Sequence, residues 1–303
     1  MTTHNPNLVS RRDLAARLLA PPATGSCLTS DIPELNDLIG PITPDLYVLL
    51  AATGMGKTSV MASIARSLVT QGPGLIATTE LTDLEWEQRL IAAQARVHFN
   101  RIMHPERLTG AERARIAQAC ADLSLSADTV HYLRITGPRI EQVAEAAGDI
   151  PGLKWIIVDS ISSMAGPGLV YERMTSLANG LLSLTRDFRV PVLAASQIGR
   201  TIATDRFRRS AIPQLSDGYG SGMIEFNAAV VVGLYWHQYY VASYGWSPRS
   251  AFPPATARLY LLKHRHAAVP IPNYAEVVFA GGCGIYGKHL LADPPSAAEA
   301  AAD

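Results

Sequence analysis

Ala51-Ala52-Thr53-Gly54-Met55-Gly56-Lys57-Thr58 follows the apolar run Leu46-Tyr47-Val48-Leu49-Leu50 and precedes Ser59-Val60-Met61-Ala62-Ser63-Ile64-Ala65-Arg66. The first run has the composition of a buried strand and the last the spacing of a helix. A glycine-bearing turn ending in Gly-Lys-Thr between a strand and a helix is the context that gives a P-loop pattern physical meaning. Successive backbone N–H groups and the positive end of the helix form a socket for phosphates. The socket spans Ala51, Thr53, Gly54, Met55, Gly56, Lys57, Thr58 and Ser59. Lys57 adds a point charge at the β/γ-phosphates and Thr58 a hydroxyl ligand for Mg²⁺. Ala51 stands where the pattern has glycine, which is tolerable if φ there is negative. The chain is expected to bind a nucleoside triphosphate.

Moving away from this turn, apolar runs alternate with helical patterns. Expected elements are a helix over Ile32–Ile39, a strand over Gly74–Thr79 and a helix carrying Leu84, Leu90, Ile91 and Ala95. Thr109-Gly110-Ala111-Glu112 has capping-box form and opens a helix reaching about Leu123. The strand Val130–Leu133 precedes a helix starting with Pro138 in its first turn. Trp155-Ile156-Ile157-Val158-Asp159 reads as a doubly covered parallel strand. A helix over Tyr171–Phe188 and a strand over Pro191–Ser196 follow. Ala228–Trp236 reads as a strand, 237–255 as an aromatic-rich loop, and Thr256–Lys263 with Ala275–Ala280 as an antiparallel pair at one edge. This order predicts an α/β doubly wound, mainly parallel sheet with antiparallel edge strands.

Ahead of it, residues 1–28 read as an arm whose Ser10–Ala20 (Leu14, Leu18, Leu19 opposite Arg11, Arg12, Arg17) is a short linker helix. That helix packs on its own domain or on a neighbouring copy. Residues 29–290 form the main domain, and 291–303 a low-complexity, disordered tail.

Lys+Arg and Asp+Glu balance at 26 each, so no whole-chain field attracts nucleic acid and any such contact is local. Lysine occurs only at 57, 154, 263 and 288; arginine supplies the remaining basic charge. Cys27, Cys120 and Cys283 are odd in number and far apart, which argues against zinc or a disulfide framework and for small apolar packing in a reducing compartment. No stretch has the length of a membrane span and there is no apolar signal core, so a cytoplasmic protein without membrane contact is expected.

In open α/β sheets ligands bind beyond the carboxyl ends of the strands. Glu80, Asp159 and Gln197 each stand at or just after such an end. Asp159 has the form of a Mg²⁺-holding carboxylate at a strand end, or it caps the next element. Glu80 would polarise the attacking water, or it favours a helix dipole as an N-terminal acid. Gln197 senses the γ-phosphate or satisfies a turn. Tyr235, Trp236, Tyr239, Tyr240, Tyr244 and Trp246 stack on bases or, the simpler reading, pack over an edge strand.

Several motifs, taken together in order, resemble the RecA-like ATPase domain of DnaB-type replicative helicases. They are Met55-Gly56-Lys57-Thr58, Thr79-Glu80-Leu81 with Arg89, Ile156-Ile157-Val158-Asp159, and Val190-Pro191-Val192 through Ser196-Gln197-Ile198-Gly199-Arg200. Ser216-Asp217, Ser221-Gly222-Met223-Ile224-Glu225 and Lys263-His264-Arg265 continue the series, so the likeness runs from about Thr29 to Phe279. The resemblance implies a RecA-like P-loop NTPase in a six-membered ring, with ATP and Mg²⁺ between subunits. Lys57, Thr58, Glu80, Asp159 and Gln197 would act in cis, while Lys263 and Arg265 would reach the neighbour's γ-phosphate, Arg265 as the arginine finger. It also implies single-stranded DNA in a central channel and a loader or primase-type partner. Candidate DNA contacts are Arg200, Arg206, Arg208, Arg209, Tyr219, Gly220 and Gly222, with Tyr219 available to stack on a base.

The DNA path departs most from the family pattern. Tyr219-Gly220 replace an Arg-Glu pair, Asn227 and Ala229 replace two aspartates, and Ser162 stands in place of Gln. The alternatives to a helicase are a strand-exchange or KaiC-like ATPase and a nucleotide-dependent assembly protein.

Overall fold

The computed structural model describes residues 27–124, 129–199, 211–218, 221–247, 249, 253, 255–280 and 282–288. The expected arm helix at 10–20 and tail lie outside them. The helices are α1 (Pro33–Ile39), α2 (Lys57–Leu68), α3 (Asp83–Ala95), α4 (Phe99–Met103), α5 (Gly110–Ser124), α6 (Ile140–Gly148), α7 (Val170–Phe188), α8 (Ser221–Asn227) and α9 (His237–Tyr244). The strands are β1 (Leu46–Ala51), β2 (Gly74–Thr78), β3 (Val130–Arg134), β4 (Trp155–Asp159), β5 (Val192–Gln197), β6 (Val230–Tyr235), β7 (Thr256–His264), β8 (Tyr274–Ala280) and β9 (Gly284–Tyr286).

They form one sheet in the order β3-β2-β4-β5-β1-β6-β7-β8-β9. β1 to β6 are mutually parallel, and β7, β8 and β9 extend the β6 side antiparallel. The expected α/β, mainly parallel sheet with antiparallel edge strands is therefore observed. β1 is buried along its whole length because helices cover both faces. Its side chains alternate between two cores: Tyr47 and Leu49 join one, and Leu46, Val48 and Leu50 join the other. Each such fully buried aliphatic side chain contributes about 1.5–3 kcal/mol. Gly74 pairs with Trp155, and a Cβ at Gly74 would lie 2.0 Å from the indole, so the bulkiest residue of β4 needs a glycine beside it.

Three readings are corrected. Residues 237–244 are helix α9, not loop; its buried residues His237 and Tyr240 share one face at i, i+3 spacing, but only two turns of it exist to show the period. Pattern reading also passed over α4, α8 and β9, all too short for a period to show. Cys27 is exposed and so is not a packed small apolar group, whereas Cys283 is buried.

Candidate nucleotide site

Strand order brings the expected residues together. β1 lies beside β5 with Ala51 opposite Gln197, and β2 lies beside β4 with Thr78 opposite Asp159. The carboxyl ends of β1, β2, β4 and β5 therefore open into one cleft of about 930 Å³. Thr53 to Ser59, Glu80, Asp159 and Gln197 all line it.

The turn itself has the backbone of a phosphate socket. Gly54 (φ +79°) and Gly56 (φ +98°) adopt left-handed conformations that favour glycine, and Gly56 opens α2. Ala51 closes β1 and is not among the residues with positive φ, so a methyl group is admitted there. A Cβ on Gly56 would sit 2.6 Å from Cζ of Phe279, so the ring at the end of β8 presses directly on the loop. Trp236 packs on Phe279 with ring centroids 4.6 Å apart, and the Tyr239 hydroxyl donates to Thr53 O at 2.8 Å. The aromatic residues thus include supports of the P-loop: α9 lies beside it as well as beside the outer strands. Phe279, Trp236 and Tyr239 were not legible as site residues, because their role depends on the antiparallel strands folding back over α2.

Lys57 is only 8 % exposed and its Nζ donates to Ala52 O at 3.2 Å and Ala51 O at 3.5 Å, bridging the loop. Burial lowers its pKa, while the charges of Asp159 and Glu80 pull it back up. Asp159 is 5 % exposed; burial raises its pKa, the Thr58 hydroxyl bond lowers it, Glu80 raises it and Lys57 lowers it. The fully buried Trp86 indole also favours the charged form of Asp159, yet its Nε1 meets no acceptor at hydrogen-bonding geometry. We read that contact as a dipole pointed at the carboxylate, not as a formed bond.

A buried carboxylate near the Thr58 hydroxyl and beside a lysine has donors that would suit a Mg²⁺ ion sharing its remaining ligands with phosphate oxygens. Among the described residues no cluster of three or more His, Cys, Asp or Glu side chains forms a metal cage.

Raising a carboxyl pKa in the folded state means the native protein holds a proton that the unfolded chain releases. Stability then falls as pH rises from the ordinary carboxylate value of about 3.9 toward the raised one. Asp159→Asn is therefore expected to raise the melting temperature of the nucleotide-free protein at pH 7, by a few degrees, and to abolish Mg²⁺-dependent turnover. A lowered melting temperature would show that the carboxylate is a net structural asset.

At the start of α3 another carboxylate than Glu80 makes the capping bonds. The α3 N-terminus is capped by a reciprocal box between Thr82 and Glu85, with Glu85 N to Thr82 Oγ1 at 3.1 Å and Thr82 N to Glu85 Oε2 at 2.8 Å. Glu85 thus does the helix-start work, and Glu80 faces the cleft. Its Oε1 accepts from Ser160 Oγ (2.9 Å) and Ser163 Oγ (2.8 Å), two residues that the spacing arguments passed over. Thr109 and Glu112 form the expected capping box, and Arg101 adds a charge-assisted pair to Glu112 at 2.6–2.8 Å. Burial alone would raise the Glu112 pKa, but the donors from Arg101 and Thr109 outweigh it and hold it at about 2. Arg89 also lines the cleft, stacked 4.0 Å over Phe99.

Lys263 and Arg265 do not join this cleft. In the antiparallel pair, Val231 lies opposite Lys263 at the start of β6, whereas Tyr235 at its end lies opposite Arg258. Lys263 therefore stands about four residues, on the order of 13 Å, from the end where the phosphates would sit. Its Nζ donates to Phe226 O at 3.2 Å, and Arg265 Nη2 donates to Phe226 O and Asn227 O at 3.1 and 2.9 Å. Phe226 is 72 % exposed beside them. Of the candidate DNA contacts only Gly222 is described, exposed on α8; Arg200, Arg206, Arg208, Arg209, Tyr219 and Gly220 lie outside the described residues. Ile198 bridges to Gly218 and Gly199 N donates to Asp217 O at 3.2 Å, so both ends of that basic stretch meet beside Gln197.

Residues 27–281 match the family model of the DnaB-like helicase C terminal domain. The chain belongs to that family. The replicative DNA helicase DnaB of Geobacillus stearothermophilus is 25% identical over 205 residues, covering 65% of this chain and 44% of that protein. DnaB of Leifsonia xyli subsp. xyli is 28% identical over 261 residues, covering 82% and 53%. The chain thus spans about half the length of these relatives. Among solved structures, the ATPase domain of G40P matches with a TM-score of 0.75 at 17% identity over 93% of this chain and 99% of that one. A DnaB-like replicative helicase, described with its interactions with primase, matches with a TM-score of 0.75 at 18% identity over 92% and 68%. These two likenesses show that this DnaB-like domain shares the fold of the G40P ATPase domain and of that helicase. The strand-exchange and KaiC-like alternative is not favoured. Among the described residues no helix is long and apolar enough to cross a membrane.

Proposed function

We propose that this DnaB-like domain is the motor of a ring-shaped replicative helicase: it hydrolyses ATP with Mg²⁺ at subunit interfaces and moves on single-stranded DNA, separating duplex. The observation that carries this reading is the division of charge across the sheet. The P-loop, Glu80, Asp159 and Gln197 share one cleft, and Lys263 and Arg265 stand at the opposite ends of the strands. Cations that cannot serve their own cleft are suited to a neighbour's, as in a homo-oligomer of six, the proposed state.

In this reading the loop N–H groups and Lys57 hold the β- and γ-phosphates, and Thr58 and Asp159 hold Mg²⁺. The ion, when bound, neutralises charge on the bridging oxygens. Glu80 takes a proton from the attacking water, and Gln197 reports the γ-phosphate to the segment pinned beside it. Arg200, Arg206, Arg208, Arg209, Tyr219, Gly220 and Gly222 are the proposed DNA contacts, through backbone phosphates and stacking of Tyr219. A loader or primase-type partner and a cytoplasmic site of action belong to the same proposal.

The test is ATPase rate with and without single-stranded DNA, beside strand displacement on a forked duplex. Stimulation severalfold or more together with displacement is the expected result. A rate indifferent to DNA, with no displacement, would instead make the domain a nucleotide-dependent assembly protein.

A further inference from the structure

We propose that Ser160 and Ser163 are positioning residues for hydrolysis, holding the Glu80 carboxylate so that one chosen oxygen faces the attacking water. The proposal rests on the reading of Glu80 as the base.

Both hydroxyls reach the same acceptor, and Ser160 Oγ has only a longer second contact, 3.4 Å to Ser162 Oγ. Oε1 of Glu80 receives Ser160 Oγ at 2.9 Å and Ser163 Oγ at 2.8 Å, and Oε2 has no hydrogen-bond partner among the described residues. A carboxylate on an exposed loop after β2 would otherwise rotate between equivalent orientations. Two donors on one oxygen remove that freedom and leave Oε2 as the oxygen open to accept a proton.

The donors are themselves fixed. Ser160 is fully buried, and its backbone N–H donates to Thr79 Oγ1 at 2.9 Å. Thr79 Oγ1 in turn lies 3.1 Å from Asp159 O and 3.2 Å from Ser160 O, and Thr79 N donates to Asp159 O at 3.0 Å. Ser163 closes a single 3₁₀ turn, Ile161–Ser163, its N–H reaching Ser160 O at 3.3 Å. The ends of β2 and β4 are therefore stitched together at the residue that follows the Mg²⁺-holding Asp159. One short segment sets both the metal carboxylate and the base, so their separation is built in and not left to two independent loops.

In the step this serves, water oxygen forms a bond to the γ-phosphorus while the bond to the β,γ-bridging oxygen breaks and ADP leaves. The water proton passes to Oε2 of Glu80. The serines keep their protons throughout; they act through Glu80 and touch no reacting atom.

The test uses the full chain and compares Ser160→Ala, Ser163→Ala, the double variant, Ser163→Thr and Glu80→Gln in steady-state ATP hydrolysis. Fluorescent-nucleotide binding and thermal melting are measured alongside. Each single alanine variant is expected to lower kcat roughly tenfold, the size of one lost hydrogen bond to a charged group. The double variant should lose on the order of a hundredfold and approach Glu80→Gln, with KM and nucleotide affinity held within about twofold. Ser163→Thr keeps the hydroxyl and should keep most of the rate. Ser163 is only partly buried, so its Ala/Thr pair stays informative even if Ser160→Ala perturbs folding. The proposal is overturned if the double variant turns over within about twofold of the parent, or if kcat rises, which would make the serines a brake. It is equally overturned if the loss appears in KM and nucleotide affinity alone, or if Ser163→Thr is as impaired as Ser163→Ala. If Glu80→Gln itself hydrolyses normally, the assignment of the base fails and the serine proposal falls with it. A dead Glu80→Gln beside active serine variants sinks only the serine proposal.

Discussion

Lys57→Ala is expected to lower ATP turnover by about three orders of magnitude or more, the scale of removing a preorganised charge from a phosphoryl-transfer site. Lys57 is nearly buried, its Nζ held on the carbonyls of Ala51 and Ala52 inside the turn. Burial makes the ammonium poorly solvated, and Asp159 and Glu80 keep it charged. A phosphate entering the socket meets a cation that has already given up much of its hydration, so little reorganisation is needed at the moment of reaction. Lys57→Met keeps the aliphatic stem and should be as inactive as Lys57→Ala, which separates lost charge from lost packing. Turnover near the parent rate in either variant would overturn the assignment of the loop.

Arg265→Ala should also abolish most hydrolysis, by about a thousandfold, if the guanidinium stabilises transition-state charge on the γ-phosphate of a neighbour. The informative experiment mixes it with Glu80→Gln, which is expected to be inactive for a different reason. Arg265→Ala subunits carry an intact Glu80, and Glu80→Gln subunits carry an intact Arg265. With random assembly at equal amounts, about one quarter of the interfaces join an intact Glu80 to an intact Arg265. Activity should therefore reappear in a mixture of two inactive proteins, peaking near equal proportions. The strand register motivates this: Arg265 follows the end of β7 that lies beside the start of β6, away from the phosphate end. Its guanidinium rests on the last carbonyls of α8, a favourable resting place for a cation at a helix C-terminus. A mixture inactive at every ratio, although the subunits co-assemble, would place the arginine in a structural role.

The strand-turn-helix at 46–68 was legible because its signals are local. Left-handed glycines, an apolar run and a helical period all lie within twenty-odd residues, and Gly54 and Gly56 carry the backbone angles their type suggests. The three strand-end residues were legible for a related reason: an apolar run that stops at Glu80, Asp159 or Gln197 marks the end of a strand whatever lies beside it. Local signals failed at α9. His237–Tyr244 is only eight residues long, so its i, i+3, i+7 spacing of His237, Tyr240 and Tyr244 is too brief to stand out from a loop, and its Tyr239 contact to the P-loop is visible only in the packed structure. The capping box at Thr82–Glu85 lay in the sequence unread. Its Thr-x-x-Glu spacing assigns the capping bonds of α3 to Glu85 and not to Glu80.

Sequence alone thus determined a glycine-bearing strand-turn-helix, a mainly parallel sheet and the polar strand ends around it, because these depend on neighbours a few residues away. The tertiary structure settled which of those residues meet. Strand order sets Gln197 opposite Ala51, 146 positions away in the chain by their numbers, and Phe279 against Gly56. It puts two serines on Glu80 across a separation of 80 and 83 residues. It also carries Lys263 and Arg265 away from the cleft that their charge would suit. Such placements follow from non-local pairing of strands and the packing that stabilises it, and no short-range pattern encodes them.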